Sequence, residues 1–326
     1  MACWPTVGIL REGQMKLDVD FDKKREIEVG SGGKVKFRFR DIAVEPGKTV
    51  SLKKDFDPGF TGGYDDKAGA LEQVASNVQR LSAMQERLYA QDTYALLMIF
   101  QAMDAAGKDG AIRHVMSGVN PQGCHVTSFK APSADDLDQG YLSRSFKALP
   151  ARGMIGIFNR SYYEEVLVVR VHPEFLAKQK LPPLAGGGDI WQRRFKEINN
   201  FEKYLRQNGT IILKFFLNLS KDEQKRRFLA RIDEPKKHWK FSAADVEERK
   251  YWDDYQKAFE DMLEHTSTDW APWFVIPADN KWFARLAISQ VASSALERLD
   301  LSMPKSDEKR KAQLMEIRGQ LLAEPD

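Results

Sequence analysis

The 326-residue chain predicts an α/β protein with a central parallel sheet, and three observations lead to that prediction. Short, almost wholly apolar runs return along the chain, as is typical of strands that are buried on both faces. Segments long enough to hold a helix separate these runs, which favours crossover helices around one sheet. The composition, with 42% hydrophobic and 30% charged residues, is that of a globular protein with a sizeable core.

The first predicted elements are an extension, a helix and a set of strands. Residues 1–54 show no sustained helical period, so we expect an extension there that is partly disordered or holds a small strand pair near Val35 to Phe39. Apolar residues at helical spacing predict a helix over 67–88. Buried strands are predicted over four apolar runs, at 94–100, 154–158, 210–219 and 273–276.

Capping patterns predict where two later helices begin. Asp189 precedes an amphipathic run that ends near Gly209. Ser220 is followed three residues later by Glu223, the pattern of a capping box, in which two side chains satisfy free amides at the start of a helix. Both helices are therefore expected to begin directly after their capping residue.

The chain is expected to hold one main domain. Residues 55–303 carry the predicted buried strands, between the extension over 1–54 and a charged helical tail over 304–326. The sequence has no run of eighteen apolar residues and no secretory pattern, and Cys3 and Cys124 have neither metal-ligand nor disulfide spacing. We expect a cytoplasmic protein that enters no membrane.

A phosphate-binding loop is predicted directly after the first buried strand. Residues 102–110 read AMDAAGKDG, and apolar residues at helical spacing follow them. In such a strand, loop and helix, backbone N–H groups converge on anionic oxygens while the lysine, here Lys108, reaches the terminal phosphates. Two positions depart from the usual pattern, since Ala102 replaces the first glycine and Asp109 replaces the Ser or Thr that holds Mg²⁺.

Acidic residues near this loop are candidates for holding a magnesium ion. Asp104 lies inside the loop, where its carboxylate would repel bound phosphate unless a cation separates the two. We therefore assign Asp104 to Mg²⁺, with Mn²⁺ as the alternative, and leave Asp109 as a second ligand or a favourable charge at the helix start. After the second predicted strand, Arg160 could neutralise a transferring phosphoryl group and Glu164 could support the metal, or both could be surface residues.

A basic stretch over 221–250 suits a polyanionic ligand, although a solvated helix face has the same pattern. The residues alone leave two other functions open. The loop could serve an ordinary ATP-dependent nucleotide kinase. The basic stretch with Trp239, Trp252 and Tyr255 could belong to a nucleic-acid-binding module, but no recognised reader motif accompanies its charges.

Several motifs together resemble the polyphosphate kinase 2 family, most closely its class III members. The resemblance covers about residues 56–301, and among its motifs are QAMDAAGKDG (101–110), GVNPQG (118–123), FNRSYYE (158–164) and SKDEQ (220–224). It implies a thymidylate-kinase-like P-loop kinase fold with three layers, a central parallel sheet and a helical lid at about 221–250. It also implies reversible, Mg²⁺-dependent phosphoryl transfer between inorganic polyphosphate and nucleoside mono- or diphosphates, from AMP to ADP and from ADP to ATP.

The resemblance also implies roles for individual residues. Lys108, Asp104 and Arg160 are the expected catalytic residues. Asn159 replaces an aspartate that many members carry, which shifts the expected metal role to Asp104 and Glu164. The residues expected to bind phosphate or nucleotide are Ala105, Ala106, Gly107, Lys108, Asp109, Gly110, Arg113, Asn120 and Arg170. Those expected to bind polyphosphate from the lid are Arg226, Arg227, Arg231, Lys236, Lys237 and Lys240.

The expected partners are small anions and a second copy of the chain. Polyphosphate and adenine nucleotides are the expected substrates, with guanine nucleotides left open. No nucleic acid is expected to bind. A homodimer or homotetramer is expected because members of the family are commonly oligomeric.

Overall fold

The computed structural model describes residues 27–28, 34–35, 38–64, 67–182 and 188–324. Its strands are β1 (Ile27–Glu28), β2 (Lys34–Val35), β3 (Ala95–Ala102), β4 (Cys124–Ser128), β5 (Ile155–Asn159), β6 (Thr210–Asn218) and β7 (Trp273–Pro277). Its helices are α1 (Leu52–Asp55), α2 (Ala68–Gln91), α3 (Lys108–Val115), α4 (Ala134–Leu137), α5 (Ser143–Lys147), α6 (Val168–Val171), α7 (Pro173–Ala177), α8 (Ile190–Gln207), α9 (Lys221–Asp233), α10 (Ala243–Glu248), α11 (Trp252–Thr266), α12 (Lys281–Glu297) and α13 (Glu308–Leu322). The predicted helices and buried strands are confirmed within a few residues at each end.

Five of the described strands form one parallel sheet in the order β4-β5-β3-β6-β7, which confirms the predicted central parallel sheet. β3 lies in the middle, where Met98 is in register with Ile157 of β5 and Leu213 of β6. The chain first builds the sheet to one side of β3 and then crosses to the other side. Open α/β sheets bind ligands at the carboxyl ends of the strands where the strand order reverses, so the loop after β3 lies at the expected place.

Helices cover both faces of the sheet and produce three layers. Side chains alternate along a strand, so Met98 and Phe100 of β3 face the layer of α2, α3 and α12, while Leu97 and Ile99 face α8 and α11. The first seven residues of β3 are buried. Burying each large apolar side chain stabilises the fold by about 1.5–3 kcal/mol, which fixes the strand that leads into the phosphate loop.

Part of the N-terminal extension is built into the core. Ile42 and Val44 are buried, Val44 N donates to Trp273 O at 2.9 Å, and Val275 N donates to Ile42 O at 2.6 Å. This segment therefore runs antiparallel along the outer edge of β7. Packing begins ahead of the predicted boundary after residue 54. Two short strands, β1 and β2, pair antiparallel further towards the N-terminus, and residues 36–37 lie outside the described residues.

The capping box predicted at the start of α9 forms only in half. The Ser220 hydroxyl accepts from Glu223 N at 3.1 Å, as predicted. Glu223 does not return the bond, because its carboxylate pairs with Arg226 and Arg227. Asp279 accepts from Ser220 N instead, at 2.8 Å. The helix start is thus tied to the chain after β7.

β4 is an edge strand that the sequence did not predict, and its side chains are half-buried or exposed. The predicted charged tail is the helix α13, which has no buried residue. Among the described helices, none is both long enough and apolar enough to cross a membrane.

Candidate active site

The loop between β3 and α3 turns at two residues with left-handed backbone. Gly107 has φ +102°, which glycine adopts without steric cost, whereas Ala105 has φ +64°, which is uncommon for a residue with a Cβ atom. α3 then begins at Lys108. The first amides of a helix lack partners within the helix, and the glycine that precedes α3 has no side chain to accept from them. Loop and helix start therefore offer backbone donors to an anion.

Lys108 lies against the beginning of the loop. Its Nζ donates to Ala102 O at 3.0 Å, and the side chain is half-buried. Burial and the nearby Arg160 guanidinium lower the pKa of Lys108, while the carboxylates of Asp104 and Glu164 act in the opposite direction. The ammonium group is thus close to both signs of charge at the predicted phosphate site.

Charged residues from two neighbouring strands meet beside this loop. Arg160 Nη2 pairs with Asp104 Oδ1 at 3.2 Å, and Gln101 Nε2 donates to Glu164 Oε1 at 2.9 Å. Burial works to lower the pKa of Arg160, but Glu164 and Asp104 more than offset it and the pKa is raised. Arg160 therefore stays charged. The structure brings together the three residues predicted to be catalytic and the second predicted metal ligand, Glu164.

Asp109 and Asn159, two positions where the sequence departs from the expected pattern, contact one another. Asn159 Nδ2, at the end of β5, donates to Asp109 Oδ1, at the start of α3, at 2.7 Å. The carboxylate of Asp109 therefore lies at the start of α3, and the amide that donates to it lies at the end of β5. This hydrogen bond gives Asp109 a definite partner, which the sequence alone left open.

A buried polar network anchors the segment that carries Arg160 and Glu164. Glu202 Oε1 accepts from the hydroxyls of Tyr162 and Tyr163 at 2.8 and 2.7 Å. Lys214 Nζ donates to Glu202 Oε2, to the Tyr163 hydroxyl and to Thr266 O, at 2.7, 3.0 and 2.6 Å. Because a lysine has three N–H donors, the buried ammonium group is fully satisfied. Removing one member would leave buried polar groups unpaired and would loosen this segment.

The predicted lid residues divide into two groups. Arg226 is largely exposed and pairs with Glu223 at 2.7 Å, and Lys236 is exposed. Lys237 is half-buried and pairs with Glu234 at 2.5 Å. Arg227, by contrast, is only 7% exposed and points into the protein. Arg231 contacts Asp245 at 3.4 Å, and the side chain of Lys240 lies outside the described residues.

Three predicted nucleotide-binding residues have other contacts in the structure. Asn120 caps a short turn, where its Oδ1 accepts from Gln122 N at 3.0 Å. Arg170 pairs with Asp261 and lies over the ring of Trp191. Arg113 is exposed on α3, close enough to Arg285 of α12 to add to the effect of burial in lowering the pKa of Arg285. Arg170 and Arg113 thus lie close to residues far away in the sequence, which no local pattern indicated.

Two adjoining cavities open at this end of the sheet. The smaller, of about 210 Å³, is lined by Asp104, Arg160 and Glu164 and by four residues of the lid segment to which no site role was assigned, namely Gln224, Asp245, Glu248 and Arg249. The larger, of about 510 Å³, shares Arg160 and Glu164 and extends between Phe129, Tyr141, Arg144, Phe175, Lys178 and Lys180. Within the described ranges, no three His, Cys, Asp or Glu side chains converge as a metal site.

Comparison with known proteins gives one consistent family. The family model of polyphosphate kinase 2 matches residues 64–304. The chain is 51% identical over 292 residues to the ADP-polyphosphate phosphotransferase of Rhodopseudomonas palustris, covering 88% of this chain and 100% of that protein. It is 44% identical over 265 residues to the AMP/ADP-polyphosphate phosphotransferase of Meiothermus ruber, covering 81% and 95% respectively.

A solved structure agrees with these matches. The crystal structure of polyphosphate kinase 2 from Arthrobacter aurescens TC1 superposes with a TM-score of 0.75 at 41% identity, covering 85% of this chain and 99% of that chain. The P-loop kinase-like fold and the resemblance found in the sequence are thereby confirmed. Phosphotransferases of this kind generally use a divalent metal ion. The chain belongs to the polyphosphate kinase 2 family.

Proposed function

We propose that the protein transfers a phosphoryl group between inorganic polyphosphate and an adenine nucleotide, reversibly and with Mg²⁺, forming ADP from AMP and ATP from ADP. One observation carries this proposal. Two cavities adjoin at the carboxyl end of the sheet and share Arg160 and Glu164. A donor phosphate at the loop and an acceptor phosphate in the larger cavity would therefore meet beside the same guanidinium group. The relatives named for AMP and ADP substrates support the same reaction.

The larger cavity suits the acceptor nucleotide. Its apolar part includes Phe129, Tyr141 and Phe175, which offer surfaces to a base, and Arg144, Lys178 and other cations line it as well. Aromatic faces stack on any base, so this lining favours a broad base range and leaves guanine nucleotides open. The polyphosphate chain would occupy the phosphate loop and continue along the basic residues of the lid.

The residues present fit a magnesium ion. Asp104 and Glu164 line the same cavity, and Mg²⁺ is commonly bound by one or two carboxylates together with substrate phosphates and water. These two residues would hold the ion, with Mn²⁺ as the alternative. When bound, the metal would neutralise the charge that accumulates between the two sets of phosphate oxygens.

The chain itself would contribute positioning and positive charge. Phosphoryl transfer passes through a loose transition state and needs no covalent intermediate on the protein. Lys108 and the loop amides would hold the terminal phosphates of the donor, and Arg160, which stays charged, would stabilise the group in transfer. Closure of the lid would exclude water, which otherwise hydrolyses the polymer.

A substrate panel tests the proposal directly. Purified protein is given polyphosphate, Mg²⁺ and either AMP or ADP, with no other phosphate donor, and the nucleotides are separated and measured over time. We expect ADP and ATP to form, and the reverse reaction to lengthen polyphosphate from ATP. A strict requirement for ATP as donor would instead support the ordinary nucleotide kinase. The cytoplasmic location and the homo-oligomer stay predictions.

A further inference from the structure

Helix α9 binds the carbonyl side of the phosphate loop. Gln224 Nε2 donates to Asp104 O at 3.0 Å, and Arg227 Nη1 donates to Ala105 O at 3.0 Å and to Ala106 O at 2.8 Å. Gln224 and Arg227 are one helical turn apart, so they project from the same face of the helix. Three successive loop carbonyls are therefore held by two side chains of α9.

Arg227 has no donor left for a phosphate. A guanidinium group has five N–H donors, of which two bind the loop carbonyls. Its Nε donates to Glu223 Oε1 at 2.7 Å, and its Nη2 donates to Ala278 O at 2.6 Å and Asp279 O at 3.1 Å. With 7% exposure, the group is also out of reach of a ligand in solution.

The amide of Gln224 is fixed in the same way. Arg249 Nη1 donates to Gln224 Oε1 at 2.8 Å, which turns the amide nitrogen of Gln224 towards Asp104 O. Gln224 is buried, as is Arg227. The face of α9 that meets the loop is therefore rigid, whereas Lys225 and Arg226 on the same helix are exposed.

These contacts stabilise the part of the loop whose backbone conformation is least favourable, at Ala105. Ala105 has a positive φ, and a residue in that conformation persists only when its surroundings fix it. If the peptide after Ala105 turned, a carbonyl oxygen would point into the anion site and repel phosphate. Arg227 prevents this because it binds the carbonyls of Ala105 and Ala106 on the far side.

We propose that Arg227 is a positioning residue of the phosphate loop, not a polyphosphate ligand of the lid, and that α9 is a fixed brace. Closure of the lid then involves only the chain between α9 and Arg249, over 235–247, because Arg249 itself binds α9. This replaces the polyphosphate-binding role that the family resemblance implied for Arg227. The catalytic readouts below rest on the proposed function, and a binding readout is independent of it.

The main test compares Arg227→Ala and Arg227→Lys with the wild-type protein, using kcat and KM for tripolyphosphate and for long polyphosphate. We expect kcat to fall about 100-fold in Arg227→Ala, because small misplacement of reacting groups is costly. KM should change by the same factor for short and long donors. Arg227→Lys should not recover the activity, since three donors cannot replace the five that are in use.

Chemical rescue tests whether a guanidinium group is required at the position of Arg227. Millimolar guanidinium chloride should restore part of the kcat of Arg227→Ala by filling the space that the side chain leaves, and the same concentration of sodium chloride should not. Lys225→Ala, on the exposed side of α9, is the matched control and should behave as wild type. A KM that rises more for long than for short polyphosphate, with kcat unchanged and recovery in Arg227→Lys, would overturn the proposal.

Two further measurements keep the test decisive. If Arg227→Ala does not fold, as judged by circular dichroism, Gln224→Met removes one loop contact and should lower kcat several-fold without any dependence on chain length. If the wild-type protein shows no polyphosphate-dependent activity, the proposed function fails, and binding of tripolyphosphate by calorimetry still tests the brace. Affinity that is lost in Arg227→Ala and recovered by guanidinium but not in Arg227→Lys supports the brace, whereas unchanged affinity or recovery in Arg227→Lys contradicts it.

Discussion

The phosphate loop and the lid both present lysine side chains, but they are built in opposite ways. The buried side chains of Gln224 and Arg227 donate hydrogen bonds to the carbonyl groups of the loop, and the side chain of Lys108 is half-buried. Lys236 and Lys237 of the lid lie in a short 3-10 segment with at most one local ion pair. Fixed, buried groups determine geometry, whereas exposed charges attract a polyanion at a distance and are weakened by salt. Loop variants should therefore affect the chemical step and lid variants the capture of the polymer.

The largest effect is expected for Lys108→Ala. Loss of the ammonium group removes the charge that reaches the terminal phosphates, so kcat/KM should fall by about 100- to 1,000-fold. Initial rates of ATP formation from ADP and polyphosphate measure this change. Lys311→Ala on the exposed helix α13 is the control. Near wild-type turnover in Lys108→Ala would show that the loop is not the phosphate site.

A smaller effect, of another kind, is expected for the double variant Lys236→Gln and Lys237→Gln. KM for long polyphosphate should rise about 10-fold while kcat changes little, because these charges act on the encounter with the polymer. The dependence of KM on salt should also become weaker, since fewer counterions are exchanged on binding. An equal rise of KM for tripolyphosphate and for long polyphosphate would show that the lid charges do not act specifically on capture of the polymer.

A loss of stability is expected for Asn159→Asp. The new carboxylate would stand about where an amide now donates to Asp109, and like charges at that distance raise the pKa of one of the two groups. A carboxyl whose folded-state pKa is raised lowers the stability of the protein as the pH rises through that pKa. The cost, about 0.5–1 kcal/mol because the pair is exposed to solvent, should therefore appear at neutral pH and fade in acid. Urea unfolding at several pH values measures it.

The exchanged pair is the matched control for that variant. Asn159→Asp combined with Asp109→Asn restores one acid and one amide, so most of the lost stability should return. If the exchanged pair is no more stable than the single variant, the hydrogen bond between these positions does not support the loop.

The smallest effect concerns the pH dependence of the wild-type protein. Because the pKa of Lys108 is lowered, the activity that needs its ammonium group is complete below that pKa and is lost as the pH rises through it. The alkaline limb of kcat/KM should therefore lie below 10.5, the ordinary lysine value. Lys108→Arg, if it keeps measurable activity, should shift this limb to higher pH. A limb at the same pH in both proteins would assign it to another group.

The sequence predicted the elements that are buried on both faces. β3 and β6 are long apolar runs because helices cover both of their faces, and the shorter runs of β5 and β7 are buried in the same way. β4 was missed because an edge strand with side chains such as His125 and Thr127 has no apolar pattern. Ile42 to Val44 was missed because three residues are too few to show a period.

The sequence indicated which residue types form the phosphate site, but only in part which side chains contact one another. Lys225, Arg226 and Arg227 are equivalent as charges in the sequence, and only the phase of α9 determines that Arg227 is the one that faces the loop. Nucleotide binding by Arg170 stays a prediction, and its pairing with Asp261, 91 residues away, could not be predicted from the sequence. Contacts at such a separation depend on how helices pack, which no local pattern records.

The segment over 42–44 also affects how far the N-terminus can be shortened without aggregation of the protein. It covers the outer edge of β7, where Val275 N and Trp273 O have their partners. A shortened chain that began at residue 55 would leave that edge unpaired and would uncover apolar side chains beside it. Unpaired strand edges recruit other strands, so such a truncation should favour aggregation and lower the yield of usable protein.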